Sequence, residues 1–452
     1  MKQSKHLLPV VLLLFFAWAA PSPLFADAYT LEDLCRIALA SSEKLKLAEQ
    51  NIALAEIGTE KARSYLYPRL TAAGGMTRYS ERKFTNTGAV LQPESASTWG
   101  IQMDETLSLS GRELTALEIS RQSLLKTRYD VEALRDDYLL NNVAAAYYDV
   151  LMAGRNLEIA SVNLERLSRY RDAAEKRLRI GEVTKTALLR AEGELSGAKS
   201  DQLQAQNTLE LALAVLASQV GITPPFTLQP EPAHKVDIPE LNELQSQALS
   251  HRAEVKSLRM QKKMAIGQTS FAKGAFLPSL TVTGAYAGAD QQPATNSLNR
   301  DSFYGGIALN FPLFDGGLRK ADVSEARVRE LQADLLIENV KKEIAIEVKA
   351  AHLELITQQG ILRFLEDQLL FARENYHAVF RQFEVGLANS LDVTDANTLL
   401  VSAERKAAAA AFRLQLASLR LKKAAGLPWA LAATSLAGAP AERGKENRKE
   451  TP

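Results

Sequence analysis

The chain lacks the residue patterns on which several classes of protein depend. One cysteine, Cys35, among 452 residues excludes an internal disulfide, and 54 basic against 53 acidic residues leave no surplus for binding nucleic acid. After the N-terminal region, no apolar run reaches the roughly 18 residues that indicate a membrane-spanning helix. The five histidines show no metal-ligand spacing, and no phosphate loop, nucleophile elbow or cysteine cluster occurs. The sequence therefore predicts no metal, no cofactor, no nucleic-acid partner and no enzymatic activity.

Residues 1–26 are typical of a secretory signal peptide. Lys2 and Lys5 precede an apolar run from Leu7 to Ala20, and Ala26-Asp27-Ala28 supplies small residues for cleavage. A single membrane anchor is the alternative, but the run is shorter than the roughly 20 residues that a bilayer requires. The residues before Cys35 are acidic and bulky, so we expect a helical cysteine there that is at least partly buried, and not a lipid anchor.

The rest of the chain contains an internal repeat with a period of 205 to 210 residues. The matching residues keep one order in both halves: Leu31 with Leu241, Leu34 with Leu244, Ala38 with Ala248, Pro68 with Pro278, Gly111 with Gly317, Gly181 with Gly386, and Gly221 with Gly426. A period this long exceeds that of solenoid repeats, so we predict a duplicated half-molecule.

Each half is predicted to contain a helical segment, a β-hairpin, a very long helix and a second long helix. A linker with five prolines separates the halves, and a charged tail after Pro428 is predicted to be disordered. The predicted boundaries are a first half over 27–221 with hairpin 65–110 and helices 112–180 and 184–220, a linker over 222–239, a second half over 240–428 with hairpin 275–315 and helices 318–385 and 390–425, and a tail over 429–452.

The long helical segments carry apolar residues at a spacing of seven. In the second half these residues are Leu355, Leu362, Leu369, Tyr376 and Phe383. A seam of this period follows a partner helix, which is typical of a coiled coil. Because Glu113 to Ile180 contains no proline, one continuous helix there would be about 100 Å long. The sequence therefore predicts a rod of paired helices and not a compact globule.

The hairpin segments alternate apolar residues with small or polar ones. The clearest apolar positions are Trp99, Ile101, Met103, Leu107 and Leu109 in the first half, and Phe303, Ile307, Leu309, Phe311 and Leu313 in the second. A soluble sheet lying on a core is one interpretation. However, the neighbouring helices use their apolar residues to pack against each other, so they are not free to cover the sheet. In a closed barrel in an outer membrane, lipid would contact the apolar face instead. Four strands are too few to close around a pore, so such a barrel must be shared among several chains.

Two motifs flank the second long helix. One is Phe311-Pro312-Leu313-Phe314-Asp315-Gly316-Gly317-Leu318-Arg319, and the other is Val385-Gly386-Leu387 followed by Leu391-Asp392-Val393 and Ala396. Together with the duplication and the signal peptide, they resemble the TolC-like outer membrane efflux protein family, also called outer membrane factors. The resemblance covers about residues 29–428.

The resemblance implies a mixed, internally duplicated fold, in which a long α-helical coiled-coil barrel joins a transmembrane β-barrel shared by a homotrimer, with four strands per chain. It also implies an exit duct for a tripartite efflux pump or a type I secretion system, in the outer membrane of a Gram-negative bacterium and reaching into the periplasm. The implied partners are outer-membrane lipid, a periplasmic adaptor and an inner-membrane transporter. The sequence leaves open two other interpretations, a soluble periplasmic coiled-coil scaffold or adaptor and an exported enzyme on a helical frame.

The resemblance also assigns roles to individual residues. The turns Ile180-Gly181-Glu182 and Val385-Gly386-Leu387 become tips on which an adaptor docks, and Gly111, Pro312, Gly316 and Gly317 become strand-to-helix junctions. Asp392 and Asp395, three residues apart on one helix face, become acids at the pore constriction. Their alternative role is to stabilise a helix start, where acids are favoured.

One part of the family pattern is missing. The family's polar latch at the closed tip corresponds to Ala187, Phe383 and Ala388, none of which can form a polar network. Apolar packing by Phe383 and Leu387 is therefore our hypothesis for how the tip is held.

Overall fold

The computed structural model describes residues 28–230, 239–295 and 300–429. The predicted signal peptide, all but the first residue of the predicted tail and residues 231–238 of the predicted linker lie outside these described residues.

The two halves share the order of their long elements, which is two helices, two long strands, a long helical stretch and a further long helix, and the first half has in addition the short strands β3 and β4 and a π-helical segment. The elements up to the middle of the chain are β1 Ala28–Tyr29, α1 Leu31–Ser41, α2 Glu43–Ser64, β2 Arg69–Arg78, β3 Lys83–Phe84, β4 Val90–Gln92, β5 Ser95–Ser108, α3 Arg112–Tyr138, a π-helical segment Leu139–Ala144, α4 Ala145–Arg179 and α5 Lys185–Val220. The following elements are β6 Thr227–Leu228, α6 Leu241–His251, α7 Ala253–Gly274, β7 Ser279–Gln292, β8 Asp301–Asn310, α8 Leu318–Glu384 and α9 Ser390–Ala424.

The long helices differ between the halves in one respect. α8 runs without interruption for 67 residues, which corresponds to about 100 Å. The single helix predicted over 112–180 is instead divided by the π-helical segment. Four residues of that segment, Leu139, Leu140, Val143 and Ala144, are buried against α1, α5 and α9. A π-helical turn takes up extra residues without a proline or glycine, so the sequence carries no marker for it.

The helical segment that opens each half is also two helices where one was predicted. Ser42 separates α1 from α2, and Arg252 separates α6 from α7. Each of these residues has an extended backbone and is buried, and its backbone N–H still bonds the preceding helix, to Ala38 or Ala248. The chain therefore bends at these residues without losing the hydrogen bond that ends the first helix.

Apolar packing follows the length of the helices and does not form one central core. One buried cluster includes Leu34, Tyr147 and Val220, and Cys35 is fully buried within it, as the sequence predicts. A second cluster joins α4, α5, α8 and α9 towards the turns of the long helices, and a third joins α6, α7, α8 and α9. Across the described residues, no helix is both long and apolar enough to cross a membrane.

The four long strands form one antiparallel sheet in the order β2-β5-β7-β8. The register places Ile101 opposite Ala72 and Tyr286, and Tyr286 opposite Phe303. Because directly opposed residues share a face, the alternating apolar residues of all four strands lie on the same side. The rings of Trp99 and Tyr286 meet edge-on on this face, with their centroids 5.4 Å apart.

The opposite face of the sheet is polar. The hydroxyl of Thr283 donates to Asp104 Oδ1 over 2.9 Å, and the side-chain amide of Gln102 donates to the same oxygen over 2.9 Å. The hydroxyls of Thr106 and Thr281 lie 3.1 Å apart. The sheet therefore has one apolar face and one hydrogen-bonded polar face, as the alternation predicts.

Candidate functional site

The candidate site is the end of the rod at which each long helix turns back. The turn between α4 and α5 has Gly181 at φ +80°, and the turn between α8 and α9 has Gly386 at φ +84°. In the first turn the N–H of Glu182 donates to the carbonyl of Arg177 over 2.9 Å. This hydrogen bond defines a Schellman motif, which requires a left-handed residue and so favours glycine. The second turn has the same bond, from Leu387 N to the carbonyl of Gln382 over 2.8 Å.

The two turns expose apolar side chains. Ile180, Val385 and Leu387 are each at least two-thirds exposed in the single chain. Glu182 is half-exposed and pairs with Arg177. The predicted docking of an adaptor at these tips remains a prediction, and its physical basis is this apolar surface.

Behind the tips, Phe383 is fully buried. Its ring meets that of Tyr170 edge-on at 5.2 Å, and the Tyr170 hydroxyl donates to the carbonyl oxygen of Ser390 over 3.1 Å. Leu387, in contrast, is 81% exposed. Within one chain, only the Phe383 part of the hypothesised apolar latch is packed.

Arg177 is a residue of this site that the sequence reasoning missed. Its side chain is only 11% exposed, and its Nε lies 3.0 Å from Glu182 Oε2. Its Nη1 donates to the carbonyl oxygen of Phe383, and its guanidinium lies 4.9 Å from the centroid of the Phe383 ring. Arg177 therefore links the first tip to the second. Ala187 is buried and Ala388 is half-buried, and neither contributes a polar group.

The predicted constriction acids have different local environments. Asp392 accepts a hydrogen bond from the N–H of Asn389 over 2.9 Å, and the side chain of Asn389 accepts one from Asp392 N over 3.1 Å. This reciprocal arrangement is a capping box at the start of α9. The carboxylate of Asp395 is exposed and makes no hydrogen bond or ion pair to any described residue. Asp392 thus has the helix-start role that the sequence offered as the alternative, and a pore role for both acids remains a prediction.

The strand-to-helix junctions depend on left-handed glycines. Gly111 has φ +68° before α3, and Gly316 and Gly317 have φ +69° and +93° before α8. Pro312 lies exposed in the loop between β8 and α8.

Asp315, in the same loop, is a second residue whose role the sequence reasoning missed. Its carboxylate accepts from Gly317 N over 3.1 Å and from Arg319 N over 3.0 Å, at the start of α8. It also accepts from Arg319 Nε over 2.7 Å. The hydrogen bonds from the Arg319 side chain and backbone hold the pKa of Asp315 below its ordinary value.

Polar side chains also join the two halves above the tips. Arg166 of α4 pairs with Glu404 of α9 over 2.7 Å, and both side chains are largely buried. Asn163 and Asn397 form a buried hydrogen bond nearby. Among the described residues, no cluster of histidine, cysteine, aspartate or glutamate has the composition and geometry to hold a metal ion.

The sequence and the fold are both similar to those of known proteins. The sequence model of the family described as outer membrane efflux protein matches residues 34–221 and 244–427. Outer membrane protein TolC of Escherichia coli K12 is 23% identical over 81% of this chain and 76% of its own length. Protein CyaE of Bordetella pertussis is 24% identical over 91% of this chain and 87% of its own length. A solved structure of CusC superposes with a TM-score of 0.78 at 20% identity, over 89% of this chain and 94% of that one. The chain therefore belongs to the outer membrane efflux protein family.

Proposed function

We propose that three copies of this chain form a channel-tunnel in the outer membrane of a Gram-negative bacterium. The tunnel serves as the exit duct of a tripartite efflux pump or a type I secretion system. It is a passive conduit, and a periplasmic adaptor and an inner-membrane transporter open it at its periplasmic tip. Membership of a family of efflux proteins supports a transport role over an enzymatic one.

The observation that carries this proposal is the exposed apolar face of the sheet. Phe303, Ile307 and Leu309 of β8 are between 64% and 80% exposed in the single chain. A contiguous apolar patch of this kind is costly in water, whereas lipid accepts it. A soluble scaffold or adaptor would need another element to cover this face, and no described element of the chain does so.

The edges of the sheet support closure between chains. β2 and β8 are its two edge strands, and neither has a second strand partner among the described residues. Because neighbouring strands are antiparallel throughout, β8 of one copy and β2 of the next run in opposite directions and can pair. Three copies then give a closed barrel of twelve strands, which leaves no unpaired edge in the membrane.

The helices support the same assembly. α8 buries or half-buries its seam residues but exposes apolar side chains on another face, among them Leu335, Ile346 and Phe364. These side chains are exposed along a helix of 67 residues, where helices of neighbouring copies can cover them.

Two measurements test the proposal. We expect the protein in the outer-membrane fraction, extractable only with detergent, and as a trimer in detergent solution. The purified protein should produce discrete conductance steps in planar lipid bilayers. A soluble, monomeric protein in the absence of detergent would contradict the proposal and favour a periplasmic scaffold.

A further inference from the structure

Arg177 forms contacts on both tips. On its own tip it pairs with Glu182, which lies just beyond the end of α4. On the other tip it donates to the carbonyl of Phe383, in the last turn of α8, and covers the Phe383 ring. A Cβ at Gly386 would lie 3.3 Å from Arg177 Nη2, so the guanidinium also lies close against the glycine of the second turn.

The chemistry of these contacts suits an arginine. The last carbonyls of a helix have no partner within the helix, and a cation near them is favoured by the helix dipole. The planar guanidinium remains charged and donates through several N–H groups at once, so it can bond Glu182 and the Phe383 carbonyl together. Its position over an aromatic ring adds a cation–π contact.

Arg177 ends a stripe of polar residues on one face of α4. Asn163, Arg166 and Tyr170 precede it on that face, and each contacts α9 or the turn before it, at Asn397, Glu404 and Ser390. The contacts of Asn163 and Arg166 lie away from the turns, among the packed helices, whereas Tyr170 reaches the first residue of α9. Arg177 lies at the turn itself, beside the half-exposed Glu182, so it can leave Phe383 and remain paired in solvent.

We propose that Arg177 fastens the α8–α9 tip to the α4–α5 tip within each chain and thereby resists opening of the duct. The effect on opening of the duct rests on the proposed function, whereas the contact between Arg177 and the second tip does not. When the second tip moves away from the first, Arg177 must release the Phe383 carbonyl and Phe383 must leave its buried position. The fastening uses a backbone carbonyl and a ring, so it needs no acid or hydroxyl on the second tip.

The test compares Arg177→Gln with Arg179→Gln. Arg179 is a matched control because it lies two residues away in the same helix turn, is 73% exposed and, among the described residues, pairs only with Glu175 of its own helix. In planar bilayers, we expect a several-fold rise in conductance for R177Q and no change for R179Q. Wild-type conductance in a correctly assembled R177Q trimer would overturn the proposal.

Two further variants keep the test decisive if R177Q does not assemble. Arg177→Lys retains the charge, but the single ammonium group of lysine cannot bond both partners as the planar guanidinium does. Glu182→Gln removes only the charged partner on the first tip. Both should raise the conductance, by less than R177Q where that variant assembles. If both assemble and conduct like the wild type, Arg177 does not hold the tip.

Amide hydrogen exchange separates this proposal from the proposed function. In R177Q, and not in R179Q, the amides of Gly386 and Leu387 should exchange several-fold faster, because the end of α8 loses its fastening. Unchanged exchange would refute the fastening even in a protein that conducts. If the wild-type protein forms no channel, the proposed function as an exit duct is refuted. The exchange measurement would still show whether Arg177 holds the second tip.

Discussion

The side-chain amide of Asn397 donates to the side-chain oxygen of Asn163 over 2.9 Å, inside the contact between α4 and α9. The two residues are 5% and 6% exposed, and Asn397 Oδ1 makes no hydrogen bond to any described residue. A buried amide pair in a helix contact favours one alignment of the helices, because any shift separates the two amides. Asn163 and Asn397 therefore set how the long helix of the first half lies against the second half.

The first prediction concerns this pair. Asn397→Leu should destabilise the protein by about 1–3 kcal/mol, because it leaves the amide of Asn163 buried without a partner. The double variant N163L/N397L should lie closer to the wild type than N397L does, because neither position then carries an unsatisfied polar group. Thermal unfolding of the detergent-solubilised protein measures both effects. Additive losses from the two substitutions would contradict this account.

The second prediction separates the two constriction acids. Asp395→Asn should reduce the preference of the channel for cations and leave the unfolding temperature unchanged, because Asp395 makes no hydrogen bond among the described residues. Asp392→Ala should reduce the cation preference and also cost about 1 kcal/mol of stability, because it breaks the capping box with Asn389. Reversal potentials under a salt gradient and thermal unfolding test the pair. Equal stability losses in both variants, or unaltered selectivity, would contradict it.

These results show which features a sequence can reveal. Gly181 and Gly386 could be placed at turns because a left-handed backbone restricts the residue type. The burial of Phe383 follows from heptad spacing, which is a local pattern. The role of Arg177 has no such pattern, since its partner is a backbone carbonyl 206 residues away and any residue type supplies a carbonyl. The π-helical segment was missed for a similar reason, because the residues in it are ordinary helix and core residues.

Asp392 illustrates a different limit. A capping box and an acid in a pore use the same residue type at the same position, so the sequence could not choose between them. The structure decides the local question, because the bond between Asn389 N and Asp392 Oδ2 is present in a single chain. The charge of Asp392 is still available to a channel, since its side chain is exposed.

The third prediction concerns the apolar face of the sheet. A Cβ at Gly288 of β7 would lie 2.3 Å from the ring of Trp99, closer than any packing allows. Gly288→Ala should therefore displace Trp99 and lower the temperature at which the assembled protein dissociates. Gly306→Ala in β8 is the control, because a Cβ there meets no atom of the chain within 4 Å. Electrophoretic mobility of unheated and heated samples reports the assembly, and equal behaviour of the two variants would contradict the prediction.

The last prediction concerns acid conditions and the bend between α6 and α7. The guanidinium of Arg252 is nearly buried and pairs with Glu254 over 2.8 Å and with Glu347 over 2.6 Å. Burial raises the pKa of Glu254, but the hydrogen bond and the charge of Arg252 outweigh it, so this pKa lies below its ordinary value of 4.5. A carboxylate of this kind stabilises the fold above that value, and the stabilisation is lost as the pH falls below 4.5 and through the lower pKa of the folded state.

Asp136, whose side chain lines the same cavity as Arg252 and Glu254, has the opposite effect. Burial raises its pKa, so its protonation favours the folded state as the pH falls. A comparison of wild type with Glu254→Gln keeps Asp136 in both proteins, so the difference reports the Glu254 contribution together with the smaller effect of its charge on Asp136. The unfolding temperature of the wild type should exceed that of E254Q at neutral pH, and the difference should shrink as the pH falls from about 5 to 3. A difference that stays constant over this range would show that Glu254 is not held ionised by Arg252.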